Sequence, residues 1–478
     1  MAVDKKNMKI IILYTLVLML AASVFGQENS GLEGKWLGTL DADGSKLNIV
    51  LNVAKDGGGY TAKFDIVEQG AKDLPIDSFT QTDEIVKFSV AKFGFSYEGK
   101  LNQKGDEITG TFKQGSETLP LNFKRTTEKI VIKRPQNPVK PYPYTEEEVV
   151  YKNTKDNVKL AGTLTLPPGK GKFPAVILIT GSGTQDRDET ILGHRPFLVL
   201  ADYLTRRGIA VLRVDDRGIG GSEKGSPGAT SENYVGDVLT GVEYLKSRTE
   251  INHKKIGLIG HSEGGMIAPM AAVRSKDVAF IVMLAGTGQT GEDILISQIT
   301  AILKASGAPA EEIAKTVELQ KNLFTIIKSE PDNKLAAQKI GEMLEKRKSK
   351  MNAQEAKEFE PAEANIKAGM PALLSSWYRW FLVYNPRPTL KKVKIPVLAL
   401  NGENDTQVPA KENLEIISAA LKSGGNKDFT VKSYPKLNHL FQTSQTGLVS
   451  EYGEIQETTA PVVLETISNW VIKQTKVK

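Results

Sequence analysis

Gly260-His261-Ser262-Glu263-Gly264 sets a serine in a G-x-S-x-G pentapeptide. Its glycines permit a tight, strained turn that presents a side-chain hydroxyl for attack. A serine hydroxyl is a poor nucleophile until a base takes its proton, and histidine suits that task near neutral pH. The chain has 4 histidines. His194 comes early, and His253 sits in a charged loop with Lys254 and Lys255. His261 adjoins Ser262, and neighbouring side chains on a tight turn diverge. His439, in Leu437-Asn438-His439-Leu440, follows the last predicted strand and is the candidate base. A carboxylate must orient that histidine and stabilise its imidazolium. Asp405 supplies it from Leu400-Asn401-Gly402-Glu403-Asn404-Asp405, with Glu403 as competitor. The candidate catalytic residues are therefore Ser262, Asp405 and His439.

Attack on a carbonyl develops an oxyanion, which needs preorganised N–H donors. One is expected at the amide of Glu263, the residue after the serine and the start of a predicted helix. The other is expected from the loop Gly181-Ser182-Gly183-Thr184-Gln185-Asp186-Arg187-Asp188-Glu189, at Ser182 or, in competition, Gly183. Trp377, Tyr378, Trp380, Phe381 and Tyr384 form an aromatic cluster. Core packing explains such a cluster by default. Lining of an apolar substrate pocket by Trp377, Trp380 and Phe381 is the functional alternative.

These residues need a scaffold, and the elements of residues 146–478 alternate accordingly. Continuous apolar runs at Phe173–Thr180, Ile209–Val214, Ile256–Ile259, Val278–Leu284 and Val397–Leu400 read as strands buried on both faces. Helical spacing falls between them, at Arg195–Arg207, Tyr234–Ser247 and Gly265–Val273, and later at Leu414–Leu421 and Val462–Ile472. Phe429–Tyr434 adds a strand, and Val149–Tyr151 with Val158–Leu166 form a leading antiparallel pair. This rhythm predicts a doubly wound, mostly parallel α/β sheet. It stops between about 293 and 386, where helical spacing alone predicts a cap. Gly286-Thr287-Gly288-Gln289-Thr290-Gly291 matches G-x-G-x-x-G, but runs into that cap instead of a βαβ unit, so no dinucleotide site is expected. Asp215-Asp216-Arg217 reads as an ion pair that pins a loop.

Ahead of this lies a different pattern. Residues 31–124, within a domain expected at 27–125, alternate with period two, from Lys35–Leu40 to Thr118–Phe123, between turns such as Asp56-Gly57-Gly58-Gly59. They predict a small antiparallel β-domain, closed as a barrel or packed as a sandwich. Pro135, Pro138, Pro141 and Pro143 make residues 126–145 an extended linker. At the start, Lys5, Lys6 and Lys9 precede an apolar run from Ile10 to Ala22, with Val24 and Gly26 placed for cleavage. Residues 1–26 thus read as a signal peptide, and the chain as secreted or periplasmic without a lasting membrane anchor. Loss of those residues lowers the net charge from +6 to +4, because three Lys leave with Asp4.

Composition removes whole classes. There is no Cys, so disulfides, a Cys nucleophile, thiolate zinc and Fe–S clusters are excluded. No His pair forms HExxH, and no metal or organic cofactor is expected. The net charge of +6 is spread without a dense basic run, so nucleic acid is not an expected partner.

The serine elbow, the Gly181–Glu189 loop, Asp216-Arg217-Gly218, Gly402–Asp405 and His439 together resemble the α/β-hydrolase superfamily. More narrowly they resemble exported bacterial serine carboxylesterases with an N-terminal β-domain and a helical cap. The resemblance covers about residues 146–478. It implies a small-molecule ester substrate of short-to-medium acyl length, cleaved through an acyl-enzyme. Thr180 departs from the pattern, because many relatives carry His before the oxyanion glycine. A prolyl-oligopeptidase-type peptidase or an acyltransferase would share the triad order, and a binding protein using its β-domain is the non-enzymatic alternative.

Overall fold

The computed structural model describes residues 31–42, 45–67, 71–115, 117–128 and 133–476. The expected signal peptide and part of the expected linker lie outside the described residues. The chain divides into two compact units, the first mainly residues up to Arg134 and the second mainly residues from Pro135.

In the first unit, period-two alternation produces an antiparallel sheet. Its strands are β1 (Gly34–Ala42), β2 (Ser45–Asp56), β3 (Gly59–Ile66), β4 (Ala71–Pro75), β5 (Ser78–Thr82), β6 (Ile85–Val90), β7 (Phe95–Leu101), β8 (Glu107–Gln114), β9 (Glu117–Pro120) and β10 (Phe123–Thr126). The order is β4-β3-β2-β1-β10-β8-β7-β6-β5, with β9 also on β8. Leu51, Phe64, Phe88, Ile108 and Phe123 fill the inward face around the fully buried Trp36. The expected strand Thr118–Phe123 is split in two. At the gap the Asn122 side chain, not a backbone carbonyl, accepts the Gly110 N–H at 3.1 Å.

The second unit begins with β11 (Thr145–Asn153), β12 (Val158–Leu166) and β13 (Phe173–Ile179). Then α1 (Pro196–Thr205), β14 (Ala210–Val214), α2 (Ser231–Ser247), β15 (Ile251–His261), α3 (Glu263–Ala272) and β16 (Val278–Leu284) alternate. The sheet order is β11-β12-β14-β13-β15-β16-β17-β18. The leading hairpin is antiparallel, and all pairs from β14 onward are parallel. Helices α1 and α12 (Pro461–Thr475) cover one face through Phe197, Leu204, Val463 and Val471. Helices α2, α3 and α11 (Ala410–Ser423) cover the other through Val235, Met266 and Ile417. Burial on both faces explains the unbroken apolar strands.

Between β16 and β17 (Val397–Gly402) the chain is helical, from α4 (Gly291–Ala305) through α5 (Ala310–Ser329), α6 (Asn333–Lys348), α7 (Ala353–Ala368), α8 (Met370–Leu373) and α9 (Ser376–Val383) to α10 (Arg387–Lys392). This insertion has its own core of Leu323, Phe324, Ile340, Leu344 and Leu382. Gly286–Gly291 is the exit from β16 into it, fastened where the Thr287 hydroxyl and the Gly288 amide donate to Asn413 Oδ1. The chain closes on β18 (Phe429–Tyr434) and α12. The architecture is an α/β-hydrolase sheet with a helical insertion, preceded by an antiparallel β-unit.

Candidate active site

Ser262 sits between the end of β15 and the start of α3 with φ 53° and ψ −113°. This left-handed backbone is strained for any residue with a Cβ. Glycine makes the turn possible. A Cβ on Gly264 would lie 2.1 Å from the Ile179 carbonyl oxygen, so only glycine lets α3 start this close to β13. The Ser262 amide donates to the Leu284 carbonyl at 2.8 Å, which ties the elbow to the neighbouring strand.

Asp405 and His439 arrive from the ends of β17 and β18. His439 Nδ1 lies 2.8 Å from Asp405 Oδ2, with both residues buried. Asp405 Oδ1 accepts the amides of Gln407 and Val408, each at 2.8 Å, so three donors fix the carboxylate. Gly402 permits this approach, because a Cβ there would come 2.1 Å from the Leu437 carbonyl. The competitor Glu403 is exposed and holds the Ser433 hydroxyl instead. The structure thus brings His439 and Asp405 together, at the edge of the sheet that carries Ser262.

The other histidines are placed differently. His253 is exposed. His194 is buried between Thr458 Oγ1 at 2.9 Å and the Gln442 amide at 3.0 Å. Gln442 in turn bonds Asn438, whose side-chain Oδ1 accepts the Leu440 and Gln442 amides. That chain of bonds shapes the loop bearing His439. His261 diverges from Ser262 as expected, yet its ring centroid is 4.8 Å from that of His439. Its nitrogens are occupied by Glu189 Oε1 at 2.9 Å and the His439 carbonyl at 3.0 Å. It has no free lone pair to serve as a base.

The Gly181–Glu189 loop follows β13 and faces the elbow. A Cβ on Gly181 would lie 3.2 Å from Ser262 Cβ. The Gly181 amide is committed to Glu189 Oε1 at 2.8 Å, so the next amides, Ser182 and Gly183, are the ones left to consider. The Glu263 amide is in the first turn of α3, where N–H groups lack intrahelical partners. The expected ion pair at Asp215-Asp216-Arg217 is instead two separate clusters, each around its own arginine. Arg187 grips Asp215 in a fork at 2.7 and 3.0 Å, and Arg217 joins Asp156 and Asp237, each at 2.6 Å. Asp216 is unlike either. It is half-buried, with the Thr180 hydroxyl at 2.7 Å and the Gln185 amide at 2.9 Å, and desolvation of its carboxyl above all lifts its pKa to about 7.

The side chain of Glu263 was not anticipated. It is buried and accepts Ser231 Oγ at 2.5 Å and Trp377 Nε1 at 2.8 Å, with the Ser182 side chain also bonded to it. Burial raises its pKa against the pull of those donors. One carboxyl therefore joins the elbow, the Gly181–Glu189 loop and α9. Of the aromatic residues, Trp377 bonds this carboxyl, with Phe381 stacked on its ring at 5.3 Å. Trp380 stacks on Tyr384 at 4.6 Å and, like Phe381, packs against the core under the sheet. A cavity of about 60 Å³ under the loop, lined by Thr180, Gly181, Asp216, Tyr234, Glu263 and Ile267, is sized for a few waters, not for an acyl chain. Among the described residues, no three His, Asp or Glu side chains converge to hold a metal ion.

The chain is 28% identical over 320 residues to Esterase EstD of Thermotoga maritima, a match spanning 66% of each protein. It is 24% identical over 255 residues to the bifunctional esterase/perhydrolase DCH of Acinetobacter calcoaceticus, covering 52% of this chain and 82% of that one. Among solved structures, the Pyrococcus furiosus esterase Pf2001 is similar with a TM-score of 0.40 and 18% identity, over 72% of this chain and 98% of that one. The family model described as "Serine aminopeptidase, S33" matches residues 195–444, just over half of the chain, including the elbow and His439. The chain belongs to this serine aminopeptidase S33 family of hydrolases.

Proposed function

We propose that this protein is a carboxylic ester hydrolase that works through an acyl-enzyme on Ser262. The observation that carries the reading is the buried Asp405–His439 bond of 2.8 Å at the edge of the sheet whose strand β15 runs into Ser262, a serine held at positive φ. His439 Nε2 takes the Ser262 proton as Oγ attacks the ester carbonyl. The amides of Glu263 and Ser182 receive the oxyanion. His439 then protonates the leaving alkoxide, and water, deprotonated by the same imidazole, releases the acid. Asp405 keeps the proton on Nδ1, so that Nε2 is free to act. The esterase names of EstD and DCH support esters over amides, although the family description speaks of aminopeptidases. The helical insertion beside the elbow favours short-to-medium acyl chains. Export is part of the proposal, with residues 1–26 removed.

The test is hydrolysis of p-nitrophenyl esters from acetate to decanoate, beside aminoacyl-p-nitroanilides, by the exported chain. Ester turnover is expected, highest for the shorter acyl groups, and Ser262→Ala is expected to lower kcat by on the order of a millionfold. Anilide turnover without ester turnover would replace this reading with a peptidase. N-terminal sequencing of the same preparation is expected to begin at Gln27; an intact Met1 would overturn the export reading.

A further inference from the structure

Two histidine–carboxylate pairs lie side by side at this site. Asp405–His439 belongs to the reaction just described. The second, Glu189–His261, does not enter it, yet it touches the segments that carry Gly181 and His439. Glu189 Oε1 accepts both the Gly181 amide at 2.8 Å and His261 Nδ1 at 2.9 Å. His261 Nε2 lies 3.0 Å from the His439 carbonyl oxygen.

Those partners fix where the protons are. A carbonyl oxygen only accepts, so Nε2 must carry a proton. The contact between Nδ1 and the carboxyl group needs a second proton, held by one or the other. In water a glutamic acid is stronger than an imidazolium by about two pH units, so the proton resides on the ring. The surroundings preserve that balance. Burial opposes a charged ring, but the attraction and hydrogen bond of Glu189, the His439 carbonyl and the Asp405 charge outweigh it, and the His261 pKa is raised. The ionisable groups facing the ring are Glu189, His439 and Asp405, with Asp216 beyond Glu189. The remaining wall is apolar, formed by Phe197, Leu200, Leu284, Leu440 and Phe441.

We propose that His261 stays an imidazolium, paired with Glu189, and is a positioning residue that holds the His439 loop by its carbonyl and the oxyanion loop through Glu189 and the Gly181 amide. The catalytic half of this statement rests on the reading of Ser262 and His439 given above. The ring of this cation lies 4.8 Å, centroid to centroid, from that of His439, close enough for a change of charge on one to act on the other. Its removal should therefore move the acidic limb of kcat/KM to higher pH.

The experiment uses the full chain labelled with ¹⁵N-histidine, and only 4 histidines contribute. At pH 8 one ring is expected with both nitrogens protonated, and His261→Gln is expected to remove that signal. Glu189→Gln, which keeps an acceptor for Gly181 but no charge, is expected to return His261 to the neutral form. In steady-state assays both variants are expected to lower kcat about 10- to 100-fold with KM within about threefold, and to shift the acidic limb up by about one pH unit. Four neutral rings in the wild type at pH 8 would overturn the proposal. So would an unmoved limb in a folded variant, because a merely structural histidine would lower activity without shifting it. If His261→Gln does not fold, the wild-type and Glu189→Gln spectra still decide. Ser262→Ala separates the two readings: if it retains turnover, the catalytic assignment fails while the spectra continue to judge the pair.

Discussion

Asp216 is a carboxyl whose pKa desolvation lifts into the physiological range. Its ordinary pKa of 3.8 rises to about 7, with burial first and the nearby Glu263 and Glu189 charges adding to it, against the Thr180 and Gln185 hydrogen bonds. The folded state therefore binds a proton that the unfolded chain releases. Its contribution to stability is complete below about pH 4 and is lost as pH rises through about 7. Relative to Asp216→Asn, the wild type is expected to be more stable at pH 5 than at pH 8, read as the difference in Tm at each pH. A difference that does not change with pH would contradict this account. Such a residue was hard to read in the sequence. Asp215-Asp216-Arg217 looks like one ion pair, and only the fold shows that Arg187 takes Asp215 while Arg217 turns to Asp156 and Asp237. Ser262, Asp405 and His439 were legible for the opposite reason. Each sits at a strand end, marked by nearby glycines or by a scarce histidine. The Glu263 side chain carried no such mark, because the variable position of the elbow motif says nothing about where its carboxyl goes. Adjacency to Ser262 sets His261 aside as a base in the sequence, and it conceals the packing of that ring against His439.

At the scale of elements, the elbow depends on how closely α3 approaches β13. The Gly264 Cα faces the Ile179 and Thr180 carbonyl oxygens, at 2.1 and 2.7 Å from any added Cβ, and backbone cannot step aside as a side chain can. Gly264→Ala is expected to cost about 3 kcal/mol or more and to abolish ester turnover. Urea unfolding and the p-nitrophenyl assay would measure both; a variant with unchanged midpoint and kcat would show that α3 is free to shift. Buried strands were the most legible elements, since apolar runs such as Val278–Leu284 coincide with β16 itself. Strand β15 was the exception. Only Ile256–Ile259 was predicted, whereas the strand starts at Ile251. Asn252, His253, Lys254 and Lys255 lie between two register points, where Phe173 pairs with Ile251 and Ala175 with Ile256. A polar excursion of this kind breaks the apolar run without ending the strand. Helix α2 starts at Ser231, ahead of the predicted Tyr234, because Thr230 and Asn233 form a capping box and Ser231 is held by Glu263. That last contact links a helix start to the site, and no local pattern could reveal it.

At the scale of the molecule, the chain divides into two compact units, and its pattern changes from period two to strand–helix alternation between them. Among the described residues, no helix is long and apolar enough to cross a membrane. The β-unit is filled by its own aromatic side chains, with Phe88 and Tyr97 stacked at 4.8 Å, while the residues proposed for catalysis all come from the second unit. The central claim is that one serine, Ser262, becomes acylated. The most direct measurement is the intact mass and peptide map of the full chain after treatment with a fluorophosphonate. The expected result is a single adduct on the peptide containing Ser262, absent from Ser262→Ala and blocked by prior incubation with a p-nitrophenyl ester. Ester turnover with no adduct, or an adduct on a different residue that Ser262→Ala leaves in place, would contradict the account.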